Sequence, residues 1–183
     1  TDPAKRERHP VFPVRMHNVS PGGYCLQWSS YITERIKTGD IISVREIDNT
    51  AWSIAVIRWV NQLKNGTTLL GVELLSPRAT PYGAAVLKKT GGEGELMRAL
   101  LLPEIKLVGQ PNTLITPRVG FQERQKVRLV RHGDTSYIQL HRKVASTATY
   151  GQYEFRAIRH LEEVVDRKST RLNSSHSSVS RMP

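Results

Sequence analysis

Apolar residues in this sequence come in short runs, and almost every run is closed by a cluster of turn-forming residues. "YCLQW" (residues 24–28) follows "SPGG", "DIISVREI" (40–47) follows "KTG", "AWSIAVIRWV" (51–60) follows "DNT", and "TTLLGVELL" (67–75) follows "KNG". Glycine, proline, asparagine and aspartate punctuate a chain because they supply positive φ, a fixed φ, or a side chain that bonds its own backbone. Runs this short suit strands joined by hairpin turns better than helices. In residues 52–60, Trp52, Ile54 and Val56 on one alternating set face Ala55, Ile57 and Trp59 on the other, which predicts a strand buried on both sides. Four strands at a spacing of roughly ten residues predict an all-β fold, a small barrel or sandwich, over residues 1–80.

The middle of the chain reads differently. "PRATPYGAAVLKKTGGEG" (77–94) is loose and glycine-rich, and "ELMRALLLPEI" (95–105) fits a short helix stopped by Pro103, with a buried strand competing for the same residues. Residues 81–101 are therefore expected to be a linker or short helix. Strand patterns resume in "TLITP", "QKVRLVR", "YIQLHRKVAS" and "GQYEFRAI", so that residues 102–165 form a second small β-rich domain. This half echoes the first: Asp40 and Gln125 each open a strand, Trp52 and Tyr137 open the next, and "GVELL" and "QYEFR" close the series. A shortened copy of the first barrel is one reading of that echo.

The densest turn chemistry lies in "NVSPGG" (18–23). Asn18 and Ser20 can bond backbone groups two residues on, while Gly22 and Gly23 can take positive φ and admit a close neighbour. Alone, this is a tight turn entering a strand. Its amides and short polar side chains also suit a ligand rich in acceptors.

Asn18, Ser20 and Gly23 fit [DN]-x-S-x-x-G, and the strands after them fit the remainder of a PilZ domain: "YCLQW", "TGDIISVRE", "SIAVIRW" with Arg58, and "LLGVELL". Residues 8–76 resemble that family. The resemblance implies a six-stranded antiparallel β-barrel, here followed by the second β-rich domain, and a receptor for cyclic di-GMP in a larger bacterial protein. Family members hold the dinucleotide between an R-x-x-x-R segment and this turn, arginine being suited because its planar fork bonds phosphate or guanine in pairs. "KRERHPVFPVR" departs from that spacing: Arg6, Arg8 and Arg15 are present, but no two stand four apart, and the interval to Asn18 is short, as if a first strand were supplied from upstream. The expected ligand-binding residues are Arg6, Arg8, Asn18, Ser20 and Gly23. Binding would pin the basic segment onto the barrel and reorient an upstream domain or an effector protein. A barrel that has lost its ligand and serves protein interaction is the alternative, favoured by the missing arginine spacing.

Net charge first invites a polyanion partner, at +11 for 183 residues. Part of it belongs to residues 166–183, "DRKSTRLNSSHSSVSRMP", a serine-rich stretch whose first part back-translates to a common sequencing-adapter oligonucleotide. We read it as an artefactual, disordered tail. Setting it aside removes Arg167, Lys168, Arg171, Arg181 and Asp166 and lowers the charge to +8, spread along the chain rather than massed. Nucleic acid is not expected: Trp28, Tyr31 and Arg35 offer an aromatic-basic grouping, but Trp52 and Trp59 read as core.

No enzymatic chemistry is expected. His9, His17, His132, His141 and His160 lack metal-ligand spacing, Cys25 is the sole cysteine, and "HGD" (132–134) reads as a hairpin turn. No cofactor is called for, nor does any apolar run reach the ~20 residues of a membrane span, so a cytoplasmic protein is expected. If residues 166–183 lie outside the fold, deleting them leaves the melting temperature unchanged in a thermal scan; a fall of several degrees would show that they pack.

Overall fold

A computed structural model describes residues 11–29 and 36–159. Within them the secondary structure is eleven β-strands and one 3-10 turn at Lys106–Val108. The strands are β1 (Arg15–Ser20), β2 (Gly23–Trp28), β3 (Ile41–Val44), β4 (Ser53–Gln62), β5 (Thr68–Ser76), β6 (Thr80–Val86), β7 (Met97–Leu102), β8 (Thr113–Pro117), β9 (Lys126–Arg131), β10 (Asp134–Ser146) and β11 (Tyr150–Ala157). Two compact units result, Thr1–Thr80 with Thr147–Tyr150, and Pro81–Ser146 with Gly151–Pro183. The adapter-like stretch lies outside the described residues.

In the first unit, β1 to β5 make an antiparallel sheet of order β1-β2-β5-β4-β3. Its core side carries Leu26, Trp28, Ala55, Ile57, Leu70 and Val72. Phe12 adds an aromatic contact to Trp28, with ring centroids 4.8 Å apart. All four runs anticipated as strands form β2 to β5. β1 was not anticipated: the "NVS" of the motif lies on a strand of its own, whose six residues are all exposed and so gave no apolar alternation to read. The reading of residues 52–60 as buried on both faces also needs correction, because burial is confined to Ile54–Ile57 while Trp52 and Trp59 are 39% and 44% exposed.

The second unit is a closed six-stranded barrel, β10-β11-β8-β7-β6-β9. Residues 81–101, read as a linker or helix, hold its first two strands, so this unit begins with β6 rather than at residue 102. The glycines that suggested looseness form the tight β6–β7 connection: Gly91 and Gly92 take φ of 89° and 83°, and Leu87 pairs with Glu93 beyond them. Met97–Leu102 extends as a strand because it buries Ala99 in the barrel and packs Met97 and Leu101 against the same core, a tertiary gain that outweighs the helical tendency of "LMRALLL". "HGD" is a hairpin turn, with positive φ at both His132 and Gly133 between the paired Arg131 and Asp134.

Ala84, Ala99, Leu114, Phe121, Val127, Leu129, Ile138, Leu140 and Tyr153 fill the barrel. Two of its buried polar side chains find partners: Tyr153 donates its hydroxyl to the Phe121 carbonyl at 2.9 Å, and Gln152 Nε2 donates to Thr113 Oγ1 at 2.9 Å. With β6 left out, the barrel strands run β7-β8-β11-β10-β9, the same succession as β1-β2-β5-β4-β3.

Two surface ion pairs tie barrel strands or their loops. Arg128 Nε donates to Glu93 Oε1 at 2.6 Å, and Arg142 Nη2 donates to Glu154 Oε1 at 2.7 Å. These hydrogen bonds hold both carboxyls below their ordinary range. A lowered folded-state pKa gives stability that is present above the unfolded value, about 4.3, and is lost as pH falls through the folded value. On shifting from pH 6 to 3, the wild type should therefore lose more melting temperature than a Glu93→Gln/Glu154→Gln variant, by a few degrees at most because the pairs are solvent-screened. Equal losses would show that the pairs do not contribute.

Candidate functional site

The site is on the face of the first sheet opposite its core, and two register shifts create it. Side chains alternate across a strand, so one extra residue turns all that follow to the other face. In β1 the pairing with β2 steps from Met16↔Leu26 to Asn18↔Cys25, leaving His17 as the extra residue. In β4 the pairing with β5 steps from Ile57↔Val72 to Trp59↔Gly71, leaving Arg58 extra. Cys25 pairs with Gly71. One row across four strands therefore reads Asn18, Cys25, Gly71, Trp59. The next row but one reads Ser20, Gly23, Glu73, Val56.

Gly71 lets Trp59 lie down. A Cβ there would stand 2.0 Å from Trp59 Nε1, so the indole covers the bare backbone of β5 and keeps its other side toward solvent. Beside it, Arg58 Nε donates to Glu73 Oε2 at 2.6 Å, with both side chains about half exposed. This hydrogen bond, working against partial burial, raises the Arg58 pKa above its ordinary value, so the guanidinium stays charged at any pH where the fold exists.

The motif residues meet these groups. Asn18, Ser20, Gly22, Gly23, Tyr24, Arg58, Trp59 and Glu73 line one cavity of about 400 Å³, within the range of small-molecule sites. Asn18 Oδ1 accepts from the Val19 N–H at 2.7 Å, and Ser20 Oγ donates to the Gly23 carbonyl at 3.3 Å, which fixes both side chains at the hairpin corner. The Gly22 carbonyl accepts from Leu74 N–H at 3.1 Å and ties the corner to β5.

The glycines work differently from the expectation. Neither Gly22 nor Gly23 has positive φ. Gly23 is needed for strand contact, because a Cβ would lie 1.9 Å from the Val72 carbonyl oxygen. What approaches it is the backbone of β5.

Of the five residues expected to bind ligand, Asn18, Ser20 and Gly23 are brought together, and Arg6 and Arg8 lie outside the described residues. Tyr31 and Arg35 of the aromatic-basic grouping do too, and Trp28 is buried in the core. Reading the sequence alone missed Trp59 and Glu73 as site residues and noted Arg58 only as a motif position. The "WV…LLGVE" pairing carried a signal, since glycine inside an apolar strand marks a close approach. Among the described residues no cluster of His, Cys, Asp or Glu could hold a metal ion, and no helix is long and apolar enough to cross a membrane.

Residues 1–81 match the family model described as the middle PilZ domain of the cyclic-di-GMP receptor FimW. The first unit belongs to the PilZ family. Residues 82–158 match the model of the FimW C-terminal β-barrel domain. The cyclic-di-GMP receptor FimW of Pseudomonas aeruginosa is 38% identical over 164 residues, covering 90% of this chain and 27% of that protein. The chain thus spans about a quarter of the relative's length. No solved structure matches it.

The close approach at Gly23 can be tested directly in this PilZ unit. Gly23→Ala forces β2 and β5 apart, at about 1–3 kcal/mol, and should lower the melting temperature by several degrees. Ser20→Ala, on the exposed corner, should change it little. A Gly23→Ala protein that melts with the wild type would show that the two backbones are free to separate.

Proposed function

We propose that the PilZ unit is a cyclic di-GMP receptor domain, a regulatory part of a larger bacterial protein, and that the dinucleotide binds in the cavity at the β1–β2 corner. The observation that carries this reading is the row Asn18, Cys25, Gly71, Trp59, which sets a polar hairpin corner beside a half-exposed indole. Cyclic di-GMP offers two phosphates and two guanines. Trp59 supplies a stacking surface for a base, Arg58 a permanent cation for phosphate or for guanine O6 and N7, and Asn18 and Ser20 short polar groups at the rim. Arg6 and Arg8 complete the reading as phosphate ligands from the chain before β1. The FimW relative, named as a receptor for this molecule, supports it.

Function here is binding and its consequence: a ligand with higher affinity for one arrangement of the chain shifts the population toward it. The arrangement is read out by an upstream domain or effector protein in the cytoplasm.

Titration calorimetry on the full chain should show micromolar-range binding of cyclic di-GMP. Trp59→Ala should weaken it about tenfold or more, as loss of one base–aromatic stack does. No heat from the wild type, under conditions where an established receptor responds, would overturn the proposal.

A further inference from the structure

Glu73 is an unexpected group to find facing a dianionic ligand. Its carboxylate lies on the same side of β5 as the bare backbone of Gly71, two residues and thus ~6.6 Å further along the strand, beyond the indole that covers that glycine. Arg58 Nε occupies Oε2, and Oε1 has no hydrogen-bond partner among the described residues. The pair therefore presents an acceptor and a charged donor side by side in one cavity. Arg58 offsets the charge that would otherwise repel phosphate.

We infer that Glu73 accepts the Watson–Crick edge of a bound guanine and makes the cavity selective for guanine over adenine; this rests on the receptor reading above. A base stacked on Trp59 turns its edge along the sheet surface, and Glu73 stands in that direction. An ionised carboxylate only accepts hydrogen bonds. Guanine meets it with two donors, N1–H and the 2-amino group. Adenine meets it with one donor, the 6-amino group, and with N1, an acceptor, so that at N1 two lone pairs face each other in a partly desolvated site. A site built around hydrogen bonds of this kind rejects the analogue that lacks the donor far more strongly than one built on shape.

The test compares cyclic di-GMP, cyclic di-AMP and cyclic di-IMP, whose base lacks the 2-amino group, by calorimetry on the full chain and on Glu73→Gln. The wild type should prefer cyclic di-GMP to cyclic di-AMP by at least about tenfold, and lose several-fold with cyclic di-IMP. Glutamine can accept from adenine N6 and donate to N1, so Glu73→Gln should weaken cyclic di-GMP, strengthen cyclic di-AMP and close the gap. An unchanged ratio of affinities, or tighter cyclic di-GMP binding as a negative charge leaves, would overturn the role of Glu73 and leave the receptor reading standing. A wild type that binds none of the three overturns both. Should Glu73→Gln fail to fold, the wild type decides: equal affinity for cyclic di-GMP and cyclic di-IMP overturns the inference, and a several-fold loss supports it.

Discussion

The position of β5 between β2 and β4 governs the whole site. Gly23 must admit the Val72 carbonyl, and Gly71 must admit the Trp59 indole, so the two glycines set how closely the three strands approach and what lies across them. The contact at Gly23 is backbone against backbone and cannot be adjusted by a rotamer change, whereas the one at Gly71 is with the Trp59 side chain. Once the register is set, the extra residues His17 and Arg58 decide which side chains leave the core face. Asn18 on β1 and Trp59 on β4 come to line one cavity through pairing across β2 and β5, although far apart in the chain. Binding chemistry and strand packing are therefore linked through the same few positions.

The barrel solves a related problem in another way. Closure removes sheet edges, and β6 achieves it by joining β9 to β7's side of the barrel. The remaining five barrel strands follow the same pairing order as the five described strands of the PilZ unit. The interiors differ in content: the barrel buries two small alanines, Ala84 and Ala99, beside Phe121 and Tyr153, and satisfies the Tyr153 phenol through a backbone carbonyl. Mixing small and large residues lets a narrow barrel fill without voids.

Strand content was readable wherever burial made it periodic. Runs such as "TTLLGVELL" and "KVRLV" announced themselves, and "HGD" was correctly read as a turn. β1 was hidden for the opposite reason: an edge strand with six exposed residues has no apolar rhythm. β6 and β7 were hidden by glycines that resemble a linker in composition but, at φ of 89° and 83°, form a hairpin connection. Trp52 and Trp59 misled because tryptophan in a β run usually signals core, whereas a shift after Ile57 turns Trp59 outward and Trp52 lies under Arg45, whose guanidinium carbon is 4.9 Å from the ring centroid.

Sequence by itself determined the all-β class, the PilZ resemblance and the three motif residues Asn18, Ser20 and Gly23, because turn chemistry and alternation act over a few neighbouring residues. Tertiary structure alone decided that Arg58, Trp59 and Glu73 share their cavity with the motif residues, that Gly23 admits the backbone of β5, and that residues 81–101 belong to a barrel. Each of these depends on register between distant strands, and register is set by how backbones pack, which no local pattern records.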